Sequence, residues 1–197
     1  MPQPPFKTIT SSDAPSFGLS MTDDALVTFT GPPNAEGATP FVDQGFMPIN
    51  QVTIGGIPQD VHGKYDGLFI HYFALGTQSI SANGLPSVDY SSLDYEVYGY
   101  KGDATFGHAS DGTPTESGAT HLDVLAQGSM IPGTGHLQFN PDGTIKGNVD
   151  ATYTVGGQQT GTLDLLISHA AADLSPTANG FTLKGGDLQA TFIPAHG

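Results

Sequence analysis

The chain has 197 residues, 37% hydrophobic and 12% charged, with no cysteine and a formal charge of −14. That length holds one β domain of ordinary or generous size, or two small ones, and the charged fraction is too low for a disordered acidic tail. Five Lys plus Arg against nineteen Asp plus Glu exclude a binder of phosphate backbones, which needs clustered cations. The missing thiols exclude disulfides, thiolate catalysis and cysteine metal sites.

The same imbalance disfavours anionic membrane surfaces, favours solubility through self-repulsion and leaves room for divalent cations or cationic partners. No run approaches 18 apolar residues, so no membrane-spanning segment is expected. The 27 glycines and 15 prolines show no collagen-like period and fall between apolar runs, where turn residues belong.

Residues 1 to 20 are rich in Pro and Ser and predict an extended arm, docked through Phe6, Ile9, Phe17 and Leu19. Residues 21–197 form the single β domain. Ala25-Leu26-Val27-Thr28-Phe29 reads as a short strand, followed by a loop to Pro40. Phe41 to Ile57 is broken by Gly45, Pro48, Gly55 and Gly56 and predicts short strands, Val52-Thr53-Ile54 the clearest. Leu68 to Leu75 is apolar on both parities, as in a strand buried on both faces; a short buried helix is the competing reading.

Leu93, Tyr95 and Val97 alternate with Asp94, Glu96 and Tyr98. Ala104-Thr105-Phe106 adds a short piece, and the Gly-, Ser- and Thr-rich segment from Ala109 to Ala119 reads as a flexible loop turning at Asp111-Gly112. His121 to Met130 predicts a strand with Leu122, Val124 and Ala126 in phase.

The clearest alternation follows the turn Asn140-Pro141-Asp142-Gly143. Ile145, Val149, Ala151, Tyr153 and Val155 share one parity, while Thr144, Lys146, Asn148, Asp150, Thr152 and Thr154 share the other. Gly156-Gly157 turns into a strand carrying Leu163, Leu165 and Ile167. Ala170 to Leu174 predicts one helical turn ending before Pro176, and Phe181-Thr182-Leu183 with Leu188 to Ile193 predicts a closing hairpin. Short strands at this spacing define an all-β fold, an antiparallel β-sandwich or β-barrel.

Candidate chemistry is sparse. Asn140, Asp142 and Gly143 imitate part of a calcium loop, but Gln138 and Val149 stand where its first and last carboxylates belong, so a plain hairpin turn is expected. The seven histidines, at positions 62, 71, 108, 121, 136, 169 and 196, show no four-residue helical pairing, and no metal site is expected. His71 lies in the most apolar run and reads as a hydrogen-bonded core residue. His121-Leu122-Asp123 puts an imidazole and a carboxylate on one strand face. Tyr90, Tyr95, Tyr98 and Tyr100 cluster within eleven residues, Tyr98 and Tyr100 opposite Tyr95, as packing aromatics or a stacking platform for sugar, lipid or haem. The ligand-binding candidates are therefore His71, Tyr72, Tyr95, Tyr98 and His121. No nucleophile elbow, phosphate loop or dinucleotide fingerprint occurs, so the enzyme reading has no positive signal and no cofactor is expected.

Leu93-Asp94-Tyr95-Glu96-Val97-Tyr98, Leu125-Ala126-Gln127-Gly128-Ser129 and Gly133-Thr134-Gly135-His136-Leu137 resemble exported bacterial flocculation-associated proteins of the kind that carry a PEP-CTERM sorting tail. The residues Phe192-Ile193-Pro194-Ala195-His196-Gly197 do not show the apolar helix and basic end of such a tail. The resemblance implies an extracellular β domain in surface or matrix adhesion and carries over no catalytic residue.

Two functions are thus expected. The first is a secreted or cell-surface protein with a structural, adhesive or matrix role, self-associating or binding polysaccharide, its signal peptide removed before Met1. The alternative is a lipocalin-like or allene-oxide-cyclase-like barrel that binds, or binds and isomerises, a small apolar ligand. A closed barrel with inward Tyr and His around a cavity, such as Tyr95 with His71, would favour the second.

Overall fold

Two-residue alternation runs through nearly the whole of the computed structural model, which describes residues 5–11, 13–60, 63–142, 144–169 and 173–195. A short helix, α1 (Pro5–Thr10), precedes β1 (Phe17–Phe29), β2 (Thr39–Ile54), β3 (Ile57–Gln59), β4 (Gly67–Ile80) and β5 (Pro86–Lys101). Then come β6 (Thr105–His108), β7 (Pro114–Ser117), β8 (Thr120–Ser129), β9 (His136–Phe139) and β10 (Ile145–Val155). The chain closes with β11 (Gln158–His169), β12 (Asp173–Thr177) and β13 (Gly180–Pro194).

The all-β antiparallel expectation holds, and the sheet closes on itself. β1 pairs with β13 along one side and with β2 along the other. Around the ring the order is β1, β13, β11, β10, then β8 and β9 in one shared position, β5, β4, β2 and back to β1. A barrel of about eight strands has an interior that side chains just fill, or that holds one small ligand. Small hairpins sit outside the ring: β6–β7 forms its own sheet, and β3 and β12 lie beside β2 and β13.

One end of this barrel is plugged. Phe17, Tyr153 and Phe192 pack there with ring centroids 4.8–6.0 Å apart. Ile9 of α1 is fully buried with them, and its carbonyl accepts a 2.8 Å hydrogen bond from the Tyr153 hydroxyl. At the other end β1, β4 and β11 finish while β2, β5, β10 and β13 begin. This end is the mouth.

Several sequence expectations change here. The arm is not wholly extended: Pro5–Thr10 is helical, Pro at its first position having φ preset for a helix, and Phe17 already starts β1. The short strands expected over 41–57 are one 16-residue strand, Thr39–Ile54. The expected closing hairpin is one continuous strand, because Gly185 (φ 79°) is taken up as a bulge opposite Asp23 and Asp24. Leu122 and Val124 are exposed and Leu125 buried, since a register shift against Val97 and Tyr98 reverses the phase. Part of the segment expected as a loop is the β6–β7 hairpin, turning at Gly112 as expected. The helical turn expected at Ala170 to Leu174 falls partly outside the described residues, and Asp173–Thr177 is strand.

Candidate functional site

The inward row of β1 reads Phe17, Leu19, Met21, Asp23, Ala25 and Val27, and that of β2 reads Phe41, Asp43, Gly45, Met47 and Ile49, all buried. Each row thus places one aspartate where the alternation calls for an apolar side chain. Asp23 is 5% exposed and Asp43 6%. Two carboxylates inside a barrel core cost free energy unless they are hydrogen-bonded or protonated.

Tyrosines supply those hydrogen bonds, and register explains how they reach. Tyr72 on β4 stands opposite Gly45 on β2, which stands opposite Ala25 on β1. Those small neighbours leave room for the phenol to run between the two acids. Its hydroxyl lies 3.1 Å from Asp43 Oδ1 and 3.2 Å from Asp23 Oδ1. Tyr90 on β5 stands opposite Gly76, where a Cβ would come within 2.6 Å of the Phe41 ring. Glycine there lets Phe41 and Tyr90 meet edge-to-face at 5.6 Å, and the Tyr90 hydroxyl donates to Asp43 Oδ2 at 2.7 Å.

Protons are scarce in this chain of groups. Tyr72 has one hydroxyl proton and two carboxylates beside it. Burial, then the charge of Asp43, raises the Asp23 carboxyl well above its ordinary range. Burial also raises Asp43, to about 6, against the opposing hydrogen bonds from Tyr90 and Tyr72. Both acids therefore hold their protons to higher pH than an exposed aspartate, and the Tyr72 hydroxyl can donate to only one of them at a time. Burial and the nearby acids push both phenols up, so they remain donors.

The four groups line a cavity of about 50 Å³ towards the mouth, whose other walls are almost all apolar, including Val27, Phe41, Val88 and Leu137. Gln78, Phe139 and Phe181 line it half-buried. Deeper in, Tyr95 and aliphatic side chains enclose a further 20 Å³. For scale, an engineered cavity of about 150 Å³ accommodates benzene. The site as it stands therefore suits a few heavy atoms. Chemically, it offers two carboxyl groups and two hydroxyl donors in a mostly apolar wall.

The predicted ligand residues divide between the two faces of the sheet. Tyr72 belongs to the network. Tyr95 also points inward, but its hydroxyl is bound to the Thr152 carbonyl at 2.8 Å. His71 is not a core residue: it is exposed on the outer face and stacks on Phe46 at 5.0 Å. Only the first part of its run is buried on both faces, because Phe106 from the β6–β7 hairpin covers Phe69. Tyr98 stacks outside on Phe69 at 5.1 Å, its phenol pushed up to about 12 chiefly by its hydrogen bond to Glu96. His121 is exposed, with φ 54°, and Asp123 beyond it is engaged by Tyr65 and Lys64. His71 and Tyr95 do meet one outer groove, of about 400 Å³, with Phe73, Asp94, Glu96 and Gln127. His62 and His196 lie outside the described residues.

Asp23 and Asp43 were not among the predicted residues, and Tyr90 stood in the tyrosine cluster but not among the ligand-binding candidates. A carboxylate on an apolar parity was the available signal. Asp24 behaves differently from its neighbour: it is buried, its Oδ1 has no hydrogen-bond partner among the described residues, and burial raises its carboxyl against the pull of His108 and Lys184. The calcium-like turn is closed within itself, Asp142 Oδ1 accepting from the Thr144 amide at 3.0 Å and its hydroxyl at 2.7 Å. Among the described residues, no group of three or more His, Asp or Glu is placed to hold a metal ion, and no helix is long and apolar enough to cross a membrane.

No family model, no curated protein and no solved structure matches the chain.

Proposed function

We propose that the protein binds a small, compact molecule in the mouth half of its barrel, gripping one polar group of that ligand with Asp23, Asp43, Tyr72 and Tyr90. The observation that carries this reading is the buried acid–phenol chain lining a cavity inside a closed strand ring. Core packing alone gives no reason for it, since two aliphatic residues would fill the same rows at lower cost. Mostly apolar walls with a few convergent polar groups are the usual composition of small-molecule sites. Two adjacent carboxyl groups, both raised by burial, also equip the site to move a proton on a bound ligand.

The test is an NMR titration of isotope-labelled protein with one- to three-carbon alcohols, ketones, acids and amines. Saturable shifts centred on Asp23, Asp43, Tyr72 and Tyr90 support the reading. Shifts confined to the outer face, or none at all, count against it.

A second reading, a surface protein that engages polysaccharide, is supported by the outer groove. There His71 and Phe73 stand beside Asp94, Glu96 and Gln127, a mixture of rings and planar polar groups suited to sugars. Retention on a polysaccharide column that is lost in Phe73→Ala would favour it; equal retention of both proteins would remove it.

A further inference from the structure

We propose that the polar group bound in the barrel is a cation: a small primary alkylammonium, its nitrogen seated against Asp23 and Asp43 and its alkyl tail against Val27, Phe41 and Val88. This inference rests on the reading that the barrel binds a small molecule, and names the class of that ligand.

Three observations converge on it. First, no Lys or His lines the cavity among the described residues, and the chain contains no arginine. The charged groups facing it are Asp23 from β1 and Asp43 from β2, with the phenols Tyr72 from β4 and Tyr90 from β5. β9, β10, β11 and β13 contribute only aliphatic and phenyl side chains. Asp24, which adds to the rise of Asp23, does not line the cavity and is itself acted on by His108 and Lys184. Second, the network holds no cation of its own. The two carboxyl groups are reached only by neutral hydroxyls, at 3.1–3.2 Å from Tyr72 and 2.7 Å from Tyr90. An ammonium brings three donors and no acceptor, whereas an alcohol brings one donor with further acceptors and a carboxylate brings only acceptors. Third, the whole chain carries −14, a field that concentrates small cations and repels anions. Two carboxylates are too few for calcium, which takes six to eight oxygens. The cavity's volume of about 50 Å³ suits an ammonium head with a short chain.

The experiment compares ethylammonium with ethanol, close in size and differing in charge, by NMR titration at matched ionic strength. At pH 8 the amine is expected to bind at least tenfold more tightly, with shifts at Asp23, Asp43, Tyr72 and Tyr90. The preference is expected to disappear at pH 5, where Asp43 holds its proton, and in Asp43→Asn at pH 8. The pH arm uses the native chain, so it decides the point even if the variant does not fold. Equal affinities at pH 8 with shifts inside the barrel would overturn the cation and leave the barrel reading standing. No binding of either compound would end both. A preference that survives at pH 5 would also overturn the proposal, since the attraction would not come from Asp43.

Discussion

The two ends of the barrel use the same side chain for different ends. At the plugged end, the Tyr153 hydroxyl has one proton to give and one acceptor to receive it, the Ile9 carbonyl at 2.8 Å. Around that pair the rings of Phe17 and Phe192 close the interior. In the mouth half, the Tyr72 hydroxyl stands between two carboxylates and can donate to only one. The first arrangement is balanced and serves packing. The second has two carboxyl groups competing for one phenol proton, a conflict that a ligand with donors can relieve. The difference lies in hydrogen-bond accounting, since Tyr72 is as deeply buried as Tyr153.

The largest effect expected is at the plugged end. Phe192→Ala removes a ring 4.8 Å from those of both Phe17 and Tyr153, at a cost of roughly 3–5 kcal/mol. Denaturant unfolding should show the same loss at pH 5 and pH 8, because no titrating group is involved. A loss under about 1 kcal/mol would mean that this end is loosely packed and that the contrast between the ends is mistaken.

Asp43→Asn tests the opposite end and should be stabilising. In the unfolded chain the Asp43 proton leaves near the ordinary value of 3.8; in the folded state it is held to about 6. A folded-state pKa that is raised means stability is lost as pH climbs between those values, and nothing is lost below them. The window corresponds to roughly 3 kcal/mol. The asparagine variant should therefore melt roughly 6–12 °C above the native chain at pH 8 and alongside it below pH 4. Identical melting at both pH values would show that Asp43 is not a strained acid.

How much of this was legible in the sequence depends on the range of the interaction. The rows of β10 and β11 were readable because each side chain reports its own face: Ile145, Val149, Ala151 and Tyr153 are buried as their parity requires. Asp23 and Asp43 were readable in the same way, as acids on apolar rows, once β1 and β2 were seen as single long strands. Gly45 and the bulge at Gly185 obscured that continuity, because glycines inside strands resemble turns. Ring closure was not legible, since it depends on β1 meeting both β2 and β13, more than 150 residues apart at the latter seam. The position of His71 was hidden for the same reason: a remote hairpin covers Phe69 and stops short of its neighbour.

Tyr90→Phe should have an intermediate effect that depends on pH. It removes the 2.7 Å donor to Asp43, which lowers that carboxyl's pKa. The expected result is a loss of about 2 kcal/mol at pH 8, where the acceptor is charged, and a smaller one at pH 4, where it is neutral. The proton of Asp43, followed by carbon-detected NMR, should then leave at higher pH than in the native chain. An unchanged titration would detach Tyr90 from the network.

Tyr153→Phe is the mildest change and the sharpest control, because it deletes the hydroxyl of a tyrosine that has no carboxylate partner. The Ile9 carbonyl loses its 2.8 Å donor while the ring keeps its contacts with Phe17 and Phe192. A buried carbonyl left without that bond costs about 1 kcal/mol, with the same value at pH 4 and pH 8. Amide exchange should quicken over α1, which this bond ties to β10, and remain unchanged around Asp43. If instead the loss grows with pH, as for Tyr90→Phe, then the two ends are electrostatically coupled. The mouth's acids would then be felt across the whole barrel, and the division between a packed end and a receptive one would have to be redrawn.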